Sequence, residues 1–376
     1  ANPLIVIDGV EQPSEQAMAE LNAMDANEIQ GISVLKDASS TAVYGIRGAN
    51  GVIIVTTRRG QTGAPKVNLS MNYGFTSASS LQKGTSAYEY ALMRNEAIRH
   101  DQRSFSGTES LSTYIYDDYD LWKFRNNRDY TPVELDARGD LTAAQKELLK
   151  NQPALYYASR DLYKEMFDRV APQMQINLNV SGGTERGKYF VSFGYFSQQG
   201  ITTDIRYYDA DTGSNFNRYN FRSNFDIQVA KNFKVSVNVA GQFGKSQGLG
   251  SGSDPYDLSS RYKGIMQYIY DANPFISPGM IDGHLIEGFA GVAGTEQNPL
   301  ANKTASTIGN QNAIVSLLRA GTNSIFNSLL DNTIKLEHTM DYLLEGLRVY
   351  GTVNYQDNYN RIVKYTPSIP TYTVQR

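Results

Sequence analysis

Tyr219-Asn220-Phe221-Arg222-Ser223-Asn224-Phe225-Asp226-Ile227-Gln228-Val229 is followed, after Ala230-Lys231-Asn232, by Phe233-Lys234-Val235-Ser236-Val237-Asn238-Val239. Apolar and polar side chains alternate through both runs. Successive side chains of a strand point to opposite faces, so each run has one apolar face and one strongly polar face. The three residues between them make a tight reversal, so the pair reads as an antiparallel hairpin.

The same period recurs on either side. Val67, Leu69, Met71, Tyr73 and Phe75 alternate with Asn68, Ser70, Asn72 and Gly74. So do Met174 to Val180, Tyr189 to Tyr195 and Leu347 to Tyr355, and a further strand is expected over Phe326 to Met340 with a slip of phase near Asp331. Seven strands result, each of about ten residues or more, where strands of globular proteins usually run about five or six. Long strands with Asn, Gln, Arg and Asp on one face fit a membrane barrel around a polar lumen. A soluble antiparallel sandwich with one solvated face is the alternative.

The connections favour the barrel. Short links at 182–187, 230–232 and 342–346 alternate with long ones at about 77–172, 199–217 and 245–322, the pattern of bacterial outer-membrane barrels with short turns at one end and long external loops at the other. An open sheet edge in lipid leaves unpaired backbone groups, and barrels that hold a plug have about 22 strands. The expected fold is therefore the N-terminal part of a large, roughly 22-stranded antiparallel membrane β-barrel with a small α+β plug domain in its lumen. Further strands are expected beyond Arg376, and both chain ends read as cuts through a larger protein.

Residues 1–60 lack the two-residue period and read as a small mixed unit, with 61–65 as linker and 66–376 as barrel wall. Leu4 to Ile7 is a strand closed by the turn pair Asp8-Gly9, and Ser14 is placed to cap a helical turn through Met18. Ile32 to Lys36 is a second strand. Asp37 precedes a short helix over Ala38 to Tyr44, where its carboxylate is expected to cap, and Gly45 takes the C′ position. Asn50-Gly51 is a turn signal, and Val52 to Thr57 is an apolar third strand.

Composition excludes several functions. The 376 residues contain no Cys, which removes disulfides and thiolate chemistry, and the net charge of −3 gives no footprint for nucleic acid. Gly45, Gly48 and Gly51 are spaced by three and do not form G-x-G-x-x-G. His100, His284 and His338 stand apart, so no metal site is expected. Asp209 to Asn215 has a calcium-loop flavour, but the Gly and Glu that such a loop needs are Ser214 and Asn220 here. No catalytic constellation is present, and neither enzyme activity nor a cofactor is expected.

Within the first long connection, Ser86-Ala87-Tyr88-Glu89 is a capping box opening a helix toward His100, and a second helix runs from Leu141 to Asn151 with Thr142 and Gln145 as its box. Tyr114, Tyr116, Tyr119 and Trp122 lie between them beside Asp117, Asp118 and Asp120. These four aromatics are the candidate ligand contacts; the other reading is a loop packing on itself.

One resemblance is specific. Pro3 to Val10 with Asp8-Gly9, then Ile32 to Ala38 with Lys36-Asp37, then Ala42-Val43-Tyr44-Gly45, then Arg47-Gly48-Ala49-Asn50-Gly51 running through Val52 to Gly60, resembles the plug of SusC/RagA-type TonB-dependent transporters. Asn179 to Thr184, Tyr189 to Tyr195 and Gly200-Ile201 resemble that family's early barrel strands. Ile46 departs from it, standing where the family often has a small polar residue. The resemblance implies an outer-membrane importer of glycans or peptides in a Gram-negative, Bacteroidota-like cell. It implies a SusD-like surface lipoprotein as lid and energy from TonB acting on a segment N-terminal to the plug, which is expected to lie outside this chain. A β-rich surface adhesin or glycan-binding protein without transport is the other function considered.

Overall fold

The computed structural model describes residues 2–12, 17–18, 21, 24–104, 116, 118–126, 132–139, 142–150, 159–167, 170–250, 266–267, 269–270, 274, 280–281, 283–289 and 313–374. The expected cap at Ser14 and the candidate Tyr114 lie outside the described residues.

The N-terminal unit is a four-stranded sheet in the order β2-β1-β4-β3, built from β1 (Leu4–Ile7), β2 (Val10–Glu11), β3 (Ile29–Leu35) and β4 (Val52–Thr57). The strand β1 pairs antiparallel with β2 and parallel with β4, and β3 pairs antiparallel with β4. Ile5, Ile7, Ala17 and Val55 pack on one face of this sheet, and Leu4, Val6 and Val52 on the other beneath Tyr44. A short α1 (Ala38–Thr41) runs into a 3-10 segment, Ala42–Asn50, interrupted at Gly45, whose φ of 55° favours glycine. Asp37 occupies the N-cap of α1 as expected, but its side chain makes no capping bond. Its backbone carbonyl instead accepts from the hydroxyls of Ser40 and Thr41. Ser and Thr bonding back to a carbonyl three or four residues earlier is the local competition expected of short helices.

Twelve further strands follow among the described residues: β5 (Gly63–Thr76), β6 (Ala171–Gly183), β7 (Gly187–Gln199), β8 (Arg206–Tyr207), β9 (Ala210–Asp211), β10 (Asn215–Ala230), β11 (Phe233–Leu249), β12 (Met280–Ile281), β13 (His284–Phe289), β14 (Thr322–Thr339), β15 (Arg348–Tyr365) and β16 (Tyr372–Val374). Seven of them form one antiparallel sheet in chain order, β5-β6-β7-β10-β11-β14-β15. These are the seven strands expected from the alternation. The phase slip near Asp331 does not interrupt β14, whose register with β11 and β15 is continuous from Thr322 onward.

The faces of this wall decide its character. Phe193, Phe225 and Ile334 on its apolar face remain 47%, 39% and 48% exposed. Asn177, Ser192 and Asn224 on its polar face are 4%, 6% and 2% exposed, because the N-terminal unit lies against them. A soluble sandwich does the reverse and buries the apolar face.

Two aromatic rows cross the apolar face. Phe221, Phe243, Phe326 and Tyr359, on four adjacent strands, stand 6.1, 6.4 and 6.4 Å apart by ring centroids. Near the short turns, Phe233, His338 and Tyr342 form a second row at 6.2 and 6.1 Å. Phe233 and Phe243 are ten residues apart on β11. At about 3.4 Å per residue and a tilt near 40° the rows are separated by roughly 26 Å, which matches an apolar band about 25 Å tall between aromatic girdles.

Candidate functional site

The N-terminal unit meets the polar face of the wall through hydrogen bonds and ion pairs. Glu28 closes the 3-10 turn Ala26–Glu28, where it enters β3, and it projects between β7 and β10. Its Oε1 accepts from the Ser192 hydroxyl at 3.1 Å and its Oε2 from Arg222 Nε at 2.9 Å. Both side chains of the ion pair are more than nine-tenths buried. Asp25, which caps that turn by accepting from the Asn27 amide, also accepts from Gln175 of β6 at 3.4 Å.

A second cluster forms around the end of β4. Asp8, held at φ 49° in the turn before Gly9, accepts from the amide and the hydroxyl of Thr57. Arg59 reaches Asp8 at 3.4 Å and Asp226 of β10 at 3.2 Å, and Lys234 of β11 joins Asp226 at 3.3 Å. Asn224 donates to the Thr57 hydroxyl and the Arg58 carbonyl. At Gly60 the chain lies so close to β7 that an added Cβ would come within 2.3 Å of the Tyr189 amide nitrogen.

The other motif residues serve the unit itself. Arg47 pairs with Glu11 at 2.7 Å in solvent. Gly48 is buried, and an added Cβ would meet the Thr41 carbonyl at 2.9 Å. Gly51, at φ 89°, donates to the Gly48 carbonyl and closes the turn after Asn50. Lys36, Asp37 and Asn50 are exposed.

At the opposite end from the short turns, the three long connections interlock. The first carries α2 (Ala87–Ser104), α3 (Asp118–Asn126), α4 (Pro132–Ala137), α5 (Ala143–Lys150) and α6 (Leu162–Phe167), and the last carries α7 (Ala313–Ala320). Leu162, Met166 and Phe167 of α6 pack with Leu249, Ile269 and Leu317, joined by Ile201 and Ile205 of the middle connection. Burial, helped by the neighbouring Tyr270, pushes the Tyr163 phenol above its ordinary range. Ser86 and Glu89 form the expected capping box, each bonding the other's backbone amide. The Ser86 backbone amide, and then its hydroxyl, hold the Glu89 carboxyl below its usual value.

The aromatic candidates separate. Tyr116 is buried: its amide donates to Asn95 Oδ1, its carbonyl accepts from Asn95 Nδ2, and its ring sits edge-on to Phe124 at 5.3 Å. Trp122 is half-buried on α3, and Tyr119 lies on the same helix. The contacts between Glu28, Arg222 and Ser192 were not among the residues singled out from sequence.

Comparison with known proteins agrees with this geometry. Residues 1–52 match the family model of the TonB-dependent Receptor Plug Domain. SusC of Bacteroides thetaiotaomicron, a TonB-dependent receptor, is 26% identical over 316 residues, covering 80% of this chain and 25% of SusC. The chain is thus similar to SusC/RagA-type TonB-dependent receptors over most of its length. TonB-dependent receptor P3 of Formosa agariphila is 27% identical over 241 residues, covering 64% of this chain and 17% of that protein. The RagAB peptide importer in its closed-closed state shares the fold with a TM-score of 0.58 at 19% identity, over 96% of this chain and 35% of that chain. The chain thus spans about a quarter or less of the curated relatives it matches.

Proposed function

We propose that the protein to which this chain belongs imports a large polar nutrient, an oligosaccharide or peptide, across the outer membrane of a Gram-negative bacterium. In this reading residues 1–60 are a plug, 61–65 a linker and 66–376 part of the barrel wall, with the short turns at the periplasmic end. The long connections at about 77–172, 199–217 and 245–322 are external. A SusD-like lipoprotein covers them, and TonB supplies the force that rearranges the plug.

The observation that carries this reading is the inverted wall, apolar outward and polar inward against the plug. A chain that only adheres to a surface has no use for a folded unit bonded across the polar face of a membrane-sized sheet. The family resemblance supports a glycan or peptide as cargo, and the RagAB relative is itself a peptide importer. On the external side, Trp122 is the proposed ligand contact among the aromatic candidates, since Tyr116 is committed to packing.

The test uses the full-length protein. An importer requires detergent for solubility, shows heat-modifiable gel mobility, and supports growth on its nutrient only with a working TonB. A protein that stays in the aqueous fraction without detergent, or whose loss leaves nutrient uptake unchanged, refutes the proposal and favours the adhesin.

A further inference from the structure

Among the described residues, the plug is not held evenly by the seven strands of the wall. Against β6, β7 and β10 it is fixed by Asp25 to Gln175, Glu28 to Ser192 and Arg222, and Thr57 to Asn224, with Gly60 in contact with the β7 backbone. Against β11, β14 and β15 there is instead a cleft of about 320 Å³. Its plug side is formed by Asp8, Gly9, Arg59 and the Ile54–Thr56 stretch of β4, and its wall side runs from Asp226 at the edge of β10 to Asn238, Thr333 and Lys335. Asn238 is only 8% exposed, yet its Oδ1 has no hydrogen-bond partner among the described residues. Above the cleft the plug touches the wall again, where Gln356 donates to Gln12 at 3.0 Å.

We propose that the import path opens in this cleft. The plug swings away from β11, β14 and β15 while it stays fixed to β6, β7 and β10, and the cleft is the periplasmic mouth of the path. The inference rests on the import reading above and adds its location. The chemistry of the lining suits a hydrated cargo. Hydroxyls and an amide alternate with charges of both signs, Lys234 and Lys335 against Asp226 and Glu337. Such a surface exchanges hydrogen bonds with sugar hydroxyls or peptide amides as they leave water, and its balanced charge retains neither anions nor cations.

The chain contains no Cys, so single cysteines placed in it report unambiguously once any elsewhere in the full-length protein are replaced. Thr333→Cys and Lys335→Cys report on the cleft, and Ser192→Cys on the fixed side. Each full-length variant is expressed in cells growing on peptides and glycans, with TonB working or disabled, and the rate of modification by a membrane-impermeant maleimide is measured. Working TonB is expected to raise the rate by about tenfold or more at Thr333→Cys and Lys335→Cys, an opening of at least about 1.4 kcal/mol, and to leave Ser192→Cys unchanged. An equal rise at all three positions means that the plug leaves as a body and overturns the inference. A rise at Ser192→Cys alone puts the path on the other side and also overturns it. In both cases import still stands. No response to TonB at any position overturns the inference as well, and the import reading is then decided by whether growth on the nutrient needs TonB.

Discussion

Breaking the Glu28–Arg222 pair tests how the plug is held. At 2.9 Å, with an effective dielectric constant near 20, the gross attraction is about 6 kcal/mol. Most of this is offset by taking two ions out of water, so the intact pair contributes little net stability. Orphaning one member is different. Arg222→Met leaves the Glu28 carboxylate buried beside the Ser192 hydroxyl without its guanidinium, and removing one partner of a buried pair costs about 3–5 kcal/mol. At about 1.4 kcal/mol per decade, the population of plug displaced from the wall should rise by roughly two to three and a half powers of ten. Hydrogen exchange of the amides in β3 and β4, measured on the full-length protein in detergent, reads that population through lost protection. Glu28→Gln combined with Arg222→Met removes both charges and should recover most of the protection, giving a strong favourable coupling in a double-mutant cycle. If Arg222→Met exchanges like the parent, or if the double variant loses the full sum of the single effects, the pair does not hold the plug as argued.

Other outcomes follow from the same geometry. Val237→Arg places a charge on the lipid-facing side of β11 and should cost about 2–4 kcal/mol if it lies near mid-bilayer, read as reduced heat-modifiable folded band. Gly60→Ala drives a methyl into the Tyr189 backbone, and overpacking of this kind typically costs about 1–3 kcal/mol; protease cutting just before β5, at 61–62, should increase. The Glu89 carboxyl titrates below its ordinary 4.5, so its stabilisation of α2 is complete above that value and is lost as pH falls through the lowered one. Protection factors across residues 87–104, corrected for the intrinsic pH dependence of amide exchange, should therefore fall on acidification, and much less so in Ser86→Ala.

The sequence exposed the wall because the bilayer imposes a two-residue period wherever one face meets lipid. Tyr219 to Val229 and Phe233 to Val239 carry that period on either side of a tight reversal, and the same period marked all seven strands. Their outer ends were less legible. The strand β10 begins at Asn215, β11 runs on to Leu249 and β15 to Tyr365, because beyond the aromatic girdle both faces leave hydrocarbon and the alternation stops. Within the plug, Val52 to Thr57 matched to the residue, whereas the Asp37 side chain makes no capping bond and only its backbone carbonyl holds the first turn, through Ser40 and Thr41. The face assigned to Asn238 was correct, but it lies under the plug rather than against open lumen. The plug–wall pairs were invisible for a simpler reason. Glu28 and Arg222 are separated by 194 positions, and no local pattern marks a carboxylate for so distant a guanidinium. Tyr116 looked like a ligand contact because its neighbours are aromatic and acidic; the side-chain amide of Asn95, 21 residues earlier, turns it inward.

The character of the plug's seat has a thermodynamic consequence. Ile5, Val6, Val52 and Val55 are buried inside its own small sheet, while the bonds that tie it to the described wall come from carboxylates, guanidinium groups, amides and hydroxyls that solvent can replace. Parting these bonds exposes mainly polar surface, which lowers rather than raises the heat capacity, so the step should lack the large positive change that accompanies unfolding. In the import reading, a mechanical pull on this seat would then work against a resistance that lacks the curved temperature dependence of hydrophobic packing.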